Sequence, residues 1–213
     1  MIDADGTRAE TTGQCQEGMD IADNGVWGYH PLVVSLANTR EPLFFVNRSG
    51  DRPSAEGAAE RFDQAGALCR TAGFQRLTFR GDPDVTQTRH LDRGEAAGVR
   101  LVFGCDARAN LIREADAWPP WVWRRLVRRP PYAVQTEPRQ RPANAKEAII
   151  VEREFKNLRL EAEAVAEFAY QPVACATPYR RVVVRKNISV EQGDQRLFDE
   201  IRYFDQLHGT LRD

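Results

Sequence analysis

The first hundred residues alternate between apolar runs and polar turns in a pattern that predicts a mixed α/β fold. Three strands are expected first: the opening residues from Met1, then Gly25–Leu36, then Glu41–Asn47. The second and third are rich in β-branched and aromatic residues, and the polar turn Ala37–Arg40 separates them. The chain therefore begins with three strands in succession.

Two helices and two further strands are predicted next. We expect a helix over Ser54–Arg70, because apolar residues recur there at helical spacing, its first residue is a suitable N-cap, and Gly73 follows as a stop. A strand over Phe74–Phe79, a polar helix over Thr86–Ala97 and the apolar strand Val99–Phe103 come after it. The element order is then βββαβαβ, which is the order of the RNase H-like fold.

The composition changes at Ala117, where tryptophan, arginine and proline become frequent. The run Glu161–Glu167 fits either a short helix or an acidic strand edge. We expect a mostly β module from Ala117 to about Tyr203. Its best strand candidates are Ala148–Arg153, Glu167–Tyr170 and Tyr179–Arg185.

Length and composition are those of an ordinary globular protein. The chain has 213 residues, 42% of them hydrophobic and 29% charged, enough for one core carrying an inserted module. Its four cysteines are isolated, so neither a zinc knuckle nor a disulfide framework is indicated, and a reducing cytoplasm is expected. No apolar run approaches the roughly 18 residues of a membrane span, and no signal peptide is recognisable.

The net charge of −1 conceals a basic component that is almost wholly arginine, since only three of the 30 basic residues are lysines. Arginine favours planar, bidentate recognition of phosphate or carboxylate. Six arginines and a single acid, Glu137, lie between Trp118 and Arg141. Interleaved tryptophans there are expected either to stack on bases or to pack as core beside a solvated basic face. The arginines predicted to bind DNA are Arg124, Arg125, Arg128 and Arg129.

Acidic residues occupy the ends of the first and fourth predicted strands. These are Asp3 or Asp5 at the first and Asp82 or Asp84 at the fourth, positions that meet in space in an RNase H-like fold. Two carboxylates from different strands can share a divalent cation, and hard oxygen ligands suit Mg²⁺ or Mn²⁺. Such sites support phosphoryl transfer. The alternative is that Asp-Gly and Asp-Pro-Asp are ordinary turn sequences.

A haloacid-dehalogenase-like phosphatase is a second interpretation of the opening residues. Asp3 would then be the nucleophile and Asp5 the general acid/base. The strand before Asp3 has only two residues, whereas that family has a longer strand. That family also usually has a Lys or Arg between its acidic loops; every lysine here follows Asp84, so Arg70 or Arg76 would have to substitute. We therefore rank this alternative below the metal site.

Several blocks in the same order resemble the DDE transposases of bacterial insertion sequences, in the group with a large β insertion in an RNase H-like core. The likeness runs from about Ile2 to Tyr203. Matched blocks in order are more specific than any one motif. The blocks are Asp3–Thr7, Glu17–Gly18, Trp27–Leu32, Arg80–Asp84, Val151–Asn157 and Tyr179–Asn187.

The resemblance implies that Asp5 and Asp82 are the first two catalytic acids and ligands of Mg²⁺ or Mn²⁺, and it leaves the roles of Asp3 and Asp84 open. It implies transposon-end DNA as the partner, with a second copy of the chain or an intact transposase as candidate protein partners. It also implies three segments, a catalytic core over 1–116, a β-rich insertion over 117–203 and a divergent tail over 204–213.

The third acid of the family triad has no match in this chain, because the sequence no longer resembles the family after Tyr203. The N-terminal DNA-end-binding segment is also unmatched. We therefore expect a transposase fragment whose core lacks its C-terminal part and which does not cut DNA at a useful rate. The alternative is a non-catalytic DNA-binding or inhibitory remnant.

Overall fold

The computed structural model describes residues 1–13, 16–128, 156–192 and 195–210, and these form a mixed α/β protein with parallel and antiparallel strand pairs. The predicted mixed α/β class is confirmed. The chain divides into two compact units. The first unit comprises Met1–Asp106, Glu167–Val182 and Asp205–Asp213, and the second comprises Ala107–Ala166 and Val183–Phe204.

The first unit holds the predicted α/β elements in the expected order, with two differences. The predicted strand Gly25–Leu36 is divided into two strands that lie in different sheets, and two short strands before it were not predicted. Its strands are β1 (Ile2–Gly6), β2 (Ala9–Glu10), β3 (Asp20–Ile21), β4 (Trp27–Tyr29), β5 (Leu32–Leu36), β6 (Glu41–Val46), β7 (Thr78–Gly81) and β8 (Arg100–Cys105). Its helices are α1 (Ala58–Thr71) and α2 (Leu91–Ala96).

The main sheet of this unit has the strand order β6-β5-β1-β7-β8. Strands β6, β5 and β1 are antiparallel neighbours, whereas β1, β7 and β8 run parallel. Parallel strands need long crossover connections, and helices α1 and α2 lie in those connections. The short strands β2, β4 and β3 form a separate three-stranded sheet between β1 and β5 in the sequence.

An aromatic cluster fixes α1 against the parallel strands. The Phe62 ring stacks on Phe79 at a centroid distance of 4.8 Å and meets Phe103 edge-on at 5.7 Å. Because side chains alternate along a strand, burial of Ile2 and Ala4 in the core turns the intervening carboxylates of β1 to the other face. The core therefore sets which face of the sheet carries the acids.

The second unit is built mainly from long strands. Its elements are the helix α3 (Ala109–Asp116), the short strand β9 (Arg124–Arg125) and parts of β10 (Lys156–Tyr170), β11 (Tyr179–Gln192) and β12 (Gln195–Thr210). Strands β12, β11, β10 and β9 are hydrogen-bonded in that order. The last part of β12, from Asp205 to His208, belongs to the first unit and pairs antiparallel with β8.

Several element boundaries differ from the prediction. Helix α1 begins at Ala58 rather than Ser54, because the Ser54 hydroxyl is buried against His30 and Gly57 precedes the helix in a left-handed conformation. The predicted second helix shrinks to α2 after a short 3₁₀ turn at Thr88–His90. Strand β7 begins four residues later than predicted, at Thr78.

In the second half, the run Glu161–Glu167 is part of β10, so the strand alternative is confirmed there. Helix α3 was not predicted. The strand candidate Ala148–Arg153 lies outside the described residues. The predicted division at residues 117 and 204 stays a prediction.

Candidate metal and nucleic-acid site

The pairing of β1 with β7 brings the two predicted acids together. These strands are parallel, with Asp3 opposite Arg80 and Ala4 opposite Gly81. The same register continued by one residue places Asp5 beside Asp82. Since the carboxyl ends of parallel strands meet at one edge of a sheet, Asp5 and Asp82 become neighbours there, and we call this part of the sheet the acidic edge.

The structure gives Asp3 a role that the sequence left open. The Arg80 guanidinium donates through Nε to Asp3 Oδ1 at 2.9 Å and through Nη2 to Asp3 Oδ2. This bidentate pair occupies both oxygens of the Asp3 carboxylate. Of the two aspartates on β1, Asp5 is therefore the one whose carboxylate is left for a ligand.

The electrostatics of Asp5 show a crowded pair of negative charges. Partial burial raises the pKa of Asp5 above its usual value, and the neighbouring Asp82 charge raises that pKa further. The Gly6 backbone N–H and the charge of His30 oppose these effects, while Asp84 adds a smaller increase. Like charges held close together disfavour simultaneous ionisation, and a bound cation would relieve that repulsion.

The loop after β7 holds Asp82 in place. The Val85 backbone N–H donates to Asp82 Oδ1 at 3.0 Å, and the Thr86 hydroxyl contacts the carbonyl oxygens of Asp82 and Gly104 at 2.7 and 2.8 Å. The Val85 side chain is buried in the core. The Asp-Pro-Asp sequence thus forms a fixed turn, and its hydrogen bonds orient one oxygen of Asp82.

A buried His–Ser pair packs against β1 at Gly6. The Nδ1 atom of His30 lies 2.6 Å from the Arg52 carbonyl oxygen, which can only accept, so Nδ1 carries the proton. The Nε2 atom lies 3.3 Å from the Ser54 hydroxyl oxygen, which donates to a neutral imidazole and accepts from a charged one. A Cβ atom at Gly6 would lie 2.7 Å from Ser54 Oγ and 2.8 Å from His30 Nε2. Glycine after Asp5 is therefore required by this close approach.

The donor set at the acidic edge fits a cation held by two carboxylates. Within the described residues, no group of three or more histidine, cysteine or acidic side chains is arranged as a metal site. Mg²⁺ is commonly held through one or two carboxylates together with water and substrate phosphates. The pair Asp5 and Asp82 meets that smaller requirement.

The predicted DNA-binding arginines differ in their surroundings. Arg124 and Arg125 are exposed on β9. Arg128 forms a bidentate pair with Glu163 at 2.6 and 3.0 Å, and Arg129 lies outside the described residues. The sequence could not reveal the Glu163 partner, because it is 35 positions away.

The tryptophans of the same stretch divide between packing and exposure. The Trp118 and Trp123 rings lie 5.9 Å apart, and the Arg185 guanidinium sits 4.4 Å from the centre of the Trp123 ring. Trp121 is 82% exposed. Two of the three tryptophans therefore pack as partial core, whereas Trp121 is exposed.

No protein-family model and no curated protein matches this chain. In the parts of the chain that the structure describes, no helix is both long enough and apolar enough to cross a membrane.

Proposed function

We propose that the protein descends from a DDE transposase with an RNase H-like core, and that it binds DNA and a divalent cation, Mg²⁺ or Mn²⁺, at Asp5 and Asp82. The observation that carries this proposal is the parallel pairing of β1 with β7, whose register, continued by one residue, brings Asp5 near Asp82. The raised pKa of Asp5, caused by burial and then by Asp82, supports it. DNA of transposon ends is the proposed partner.

The strand arrangement supports the RNase H-like part of the proposal. Three antiparallel strands, β6, β5 and β1, are followed by two parallel strands, β7 and β8, each reached through a helix. The acids lie at the ends of the first and fourth strands of this sheet, as the proposed fold requires.

Residues at and around the acidic edge would hold the cation that contacts a phosphodiester. When bound, the cation supplies positive charge for phosphate oxygens and lowers the pKa of a coordinated water. Asp5 and Asp82 would hold it, and Asp5 must lose its proton to do so, which makes binding weaker at acid pH. The Asp82 turn fixes one ligand, while the His30–Ser54 pair fixes the backbone that carries the other.

The surroundings of Asp3 favour this proposal over the phosphatase alternative. A phosphatase nucleophile must be free to attack phosphorus, whereas both Asp3 oxygens bond to Arg80. In the second unit, Arg124, Arg125 and Trp121 are exposed, as side chains that contact phosphates or stack on a base must be. We assign them to DNA binding as part of the same proposal.

Calorimetric titration with Mn²⁺ at pH 7.5 tests the cation site. We expect the parent to bind Mn²⁺ and both Asp5→Asn and Asp82→Asn to weaken binding by at least about 10-fold, because each removes a ligand. Asp63→Asn, on the exposed face of α1, is the matched control and should bind as the parent does. Equal affinity in all four proteins would refute the site.

A plasmid-nicking assay with Mg²⁺ tests the expectation that the chain does not cut DNA. We expect no nicking above background. Mg²⁺-dependent nicking that disappears in Asp82→Ala would show instead that the chain is an active phosphoryl transferase.

A further inference from the structure

A cleft in the first unit gathers three arginines that the acidic edge does not use. It has a volume of about 460 Å³ and lies among the small sheet, the segment after β6 and the start of α1. Its charged lining residues are the arginines Arg48, Arg52 and Arg61 and the glutamates Glu17 and Glu56. Positive charge therefore exceeds negative charge by one in the lining of this arginine cleft.

Arg48 brings a positive charge to the arginine cleft, and within the described residues it forms no ion pair with a carboxylate. Its Nε donates to the His30 carbonyl oxygen at 2.8 Å, and its Nη1 donates to the carbonyl oxygens of Pro53, Ser54 and Glu56 at 3.1, 3.4 and 2.6 Å. Its Nη2 is buried and has no hydrogen-bond partner within the described residues. Burial lowers the pKa of Arg48, and the charge of Glu56 only partly opposes this.

The other two arginines are more accessible. The Arg52 side chain is 53% exposed and forms ion pairs with Glu56 at 3.3 Å and with Asp51 at 3.7 Å, while the Arg61 Nη1 donates to Gln64 at 2.6 Å. Each leaves part of its guanidinium edge for a ligand, since the fork offers five N–H donors. Pairs of this exposed kind are weak and easily exchanged for a stronger anionic partner.

The start of α1 adds a favourable field. This helix is 14 residues long and has no side-chain cap, and Gly57 precedes it in the left-handed region with nothing within 4 Å of its Cβ position. The first backbone N–H groups of a helix carry partial positive charge and favour anions. The helix start therefore acts in the same direction as the three arginines.

We propose that the arginine cleft is a phosphate-binding site whose occupant is the sugar-phosphate backbone of a nucleic-acid strand. Arginine forks match the geometry of phosphate oxygens, and a volume of about 460 Å³ accommodates a nucleotide unit rather than a lone phosphate ion. Tyr29 supplies an aromatic wall beside the charged groups.

A hydrogen bond and a packing contact connect the arginine cleft to the acidic edge. The Arg52 carbonyl holds His30, whose ring packs behind Gly6 and hence behind Asp5. A strand held in the arginine cleft would thus be positioned relative to the carboxylates. This inference rests on the proposed function in its choice of a nucleic-acid ligand.

Fluorescence anisotropy with a labelled single strand of about 12 nucleotides tests the site, with affinity followed against salt concentration. The test variant is Arg52→Gln/Arg61→Gln, because Arg48 also supports the surrounding loop. Arg76→Gln/Arg100→Gln is the matched control, since both residues are exposed in the same unit and outside the cleft. We expect the test variant to reduce the slope of log affinity against log salt by about 1.4, at about 0.7 per lost contact, and the control to keep the parent slope.

Two further measurements keep the outcomes separate. Mn²⁺ affinity and the urea midpoint of the test variant should equal those of the parent, which shows that fold and acidic edge are intact. An unchanged salt slope with normal Mn²⁺ binding would overturn the cleft alone. A reduced slope in a protein that does not bind Mn²⁺ would support the cleft and overturn the proposed function.

Calorimetry with inorganic phosphate distinguishes the source of the phosphate group. Phosphate binding that depends on Arg52 and Arg61, together with no binding of the oligonucleotide, would overturn the nucleic-acid assignment in favour of a small phosphorylated ligand. We expect the oligonucleotide to bind more tightly than phosphate.

Discussion

Replacing Gly6 by alanine tests the close packing behind the acidic edge. The added methyl group would lie 2.7 Å from Ser54 Oγ, 2.8 Å from His30 Nε2 and 3.0 Å from Ser54 Cβ. Favourable contacts between such atoms begin near about 3.5 Å, so the strand must move or the His–Ser hydrogen bond must break. Ser54 and His30 are only 9% and 7% exposed, which leaves them little room to retreat.

The cost of this overpacking is about 1–3 kcal/mol. For a chain of this length, a loss of 1 kcal/mol lowers the melting temperature by about 2–4 °C, so a decrease of about 2–12 °C is expected for Gly6→Ala. Because Asp5 is the adjacent residue on β1, Mn²⁺ affinity should fall as well. Thermal and urea unfolding, monitored by circular dichroism, measure the loss of stability. Calorimetric titration measures the loss of Mn²⁺ affinity.

Gly94→Ala is the matched control, since it makes the same chemical change on α2. Its methyl group would lie 3.1 Å from Leu101 Cδ2, the end of a flexible side chain, beside a core cavity of about 40 Å³. Alanine is also favoured over glycine within a helix by about 0.5–1 kcal/mol. We expect Gly94→Ala to be neutral or stabilising. If Gly6→Ala were as stable as Gly94→Ala and bound Mn²⁺ normally, the packing argument would be wrong.

Two further predictions concern the core of the first unit. Phe62→Ala should lower the free energy of unfolding by about 3–5 kcal/mol, because it removes the ring that packs on Phe79 and Phe103; a loss below about 1 kcal/mol in urea unfolding would contradict this. Burial, and then the hydrogen bond to Asp92, raise the pKa of Tyr179, so the unfolded chain ionises first. The contribution of Tyr179 to stability should therefore be constant below about pH 10 and fall above it. Urea midpoints measured between about pH 8 and 11 should show this fall in the parent and lack it in Tyr179→Phe.

The sequence predicted a helix or strand well where its bounds depend only on neighbouring residues. The opening residues were predicted as the first strand with acids at its end, and the structure has β1 there, with Ile2 and Ala4 buried between the carboxylates. The helix start was wrong because the hydroxyl of Ser54 bonds to a histidine 24 positions earlier.

The site shows the same division between local and distant information. The strand ends alone left Asp3 or Asp5 and Asp82 or Asp84 open, and only the family resemblance singled out Asp5 and Asp82. In the structure, Asp3 differs from Asp5 by its contact with Arg80, which is 77 positions away in the sequence. Arg48 carried no recognisable signal at all. Its importance arises from four backbone carbonyl groups that the folded chain places around one guanidinium.

The long separation of the strands that carry the acids has a consequence for folding kinetics. The proposed cation site needs both Asp5 and Asp82, so it can form only after β1 has paired with β7. The segment that contains β5, β6 and α1 separates these two strands in the sequence. Nonlocal pairings of this kind carry a loop-closure cost and form slowly. The rate at which affinity for the proposed cation returns during refolding would therefore report the rate at which β1 pairs with β7. It would thus measure how fast the central sheet assembles.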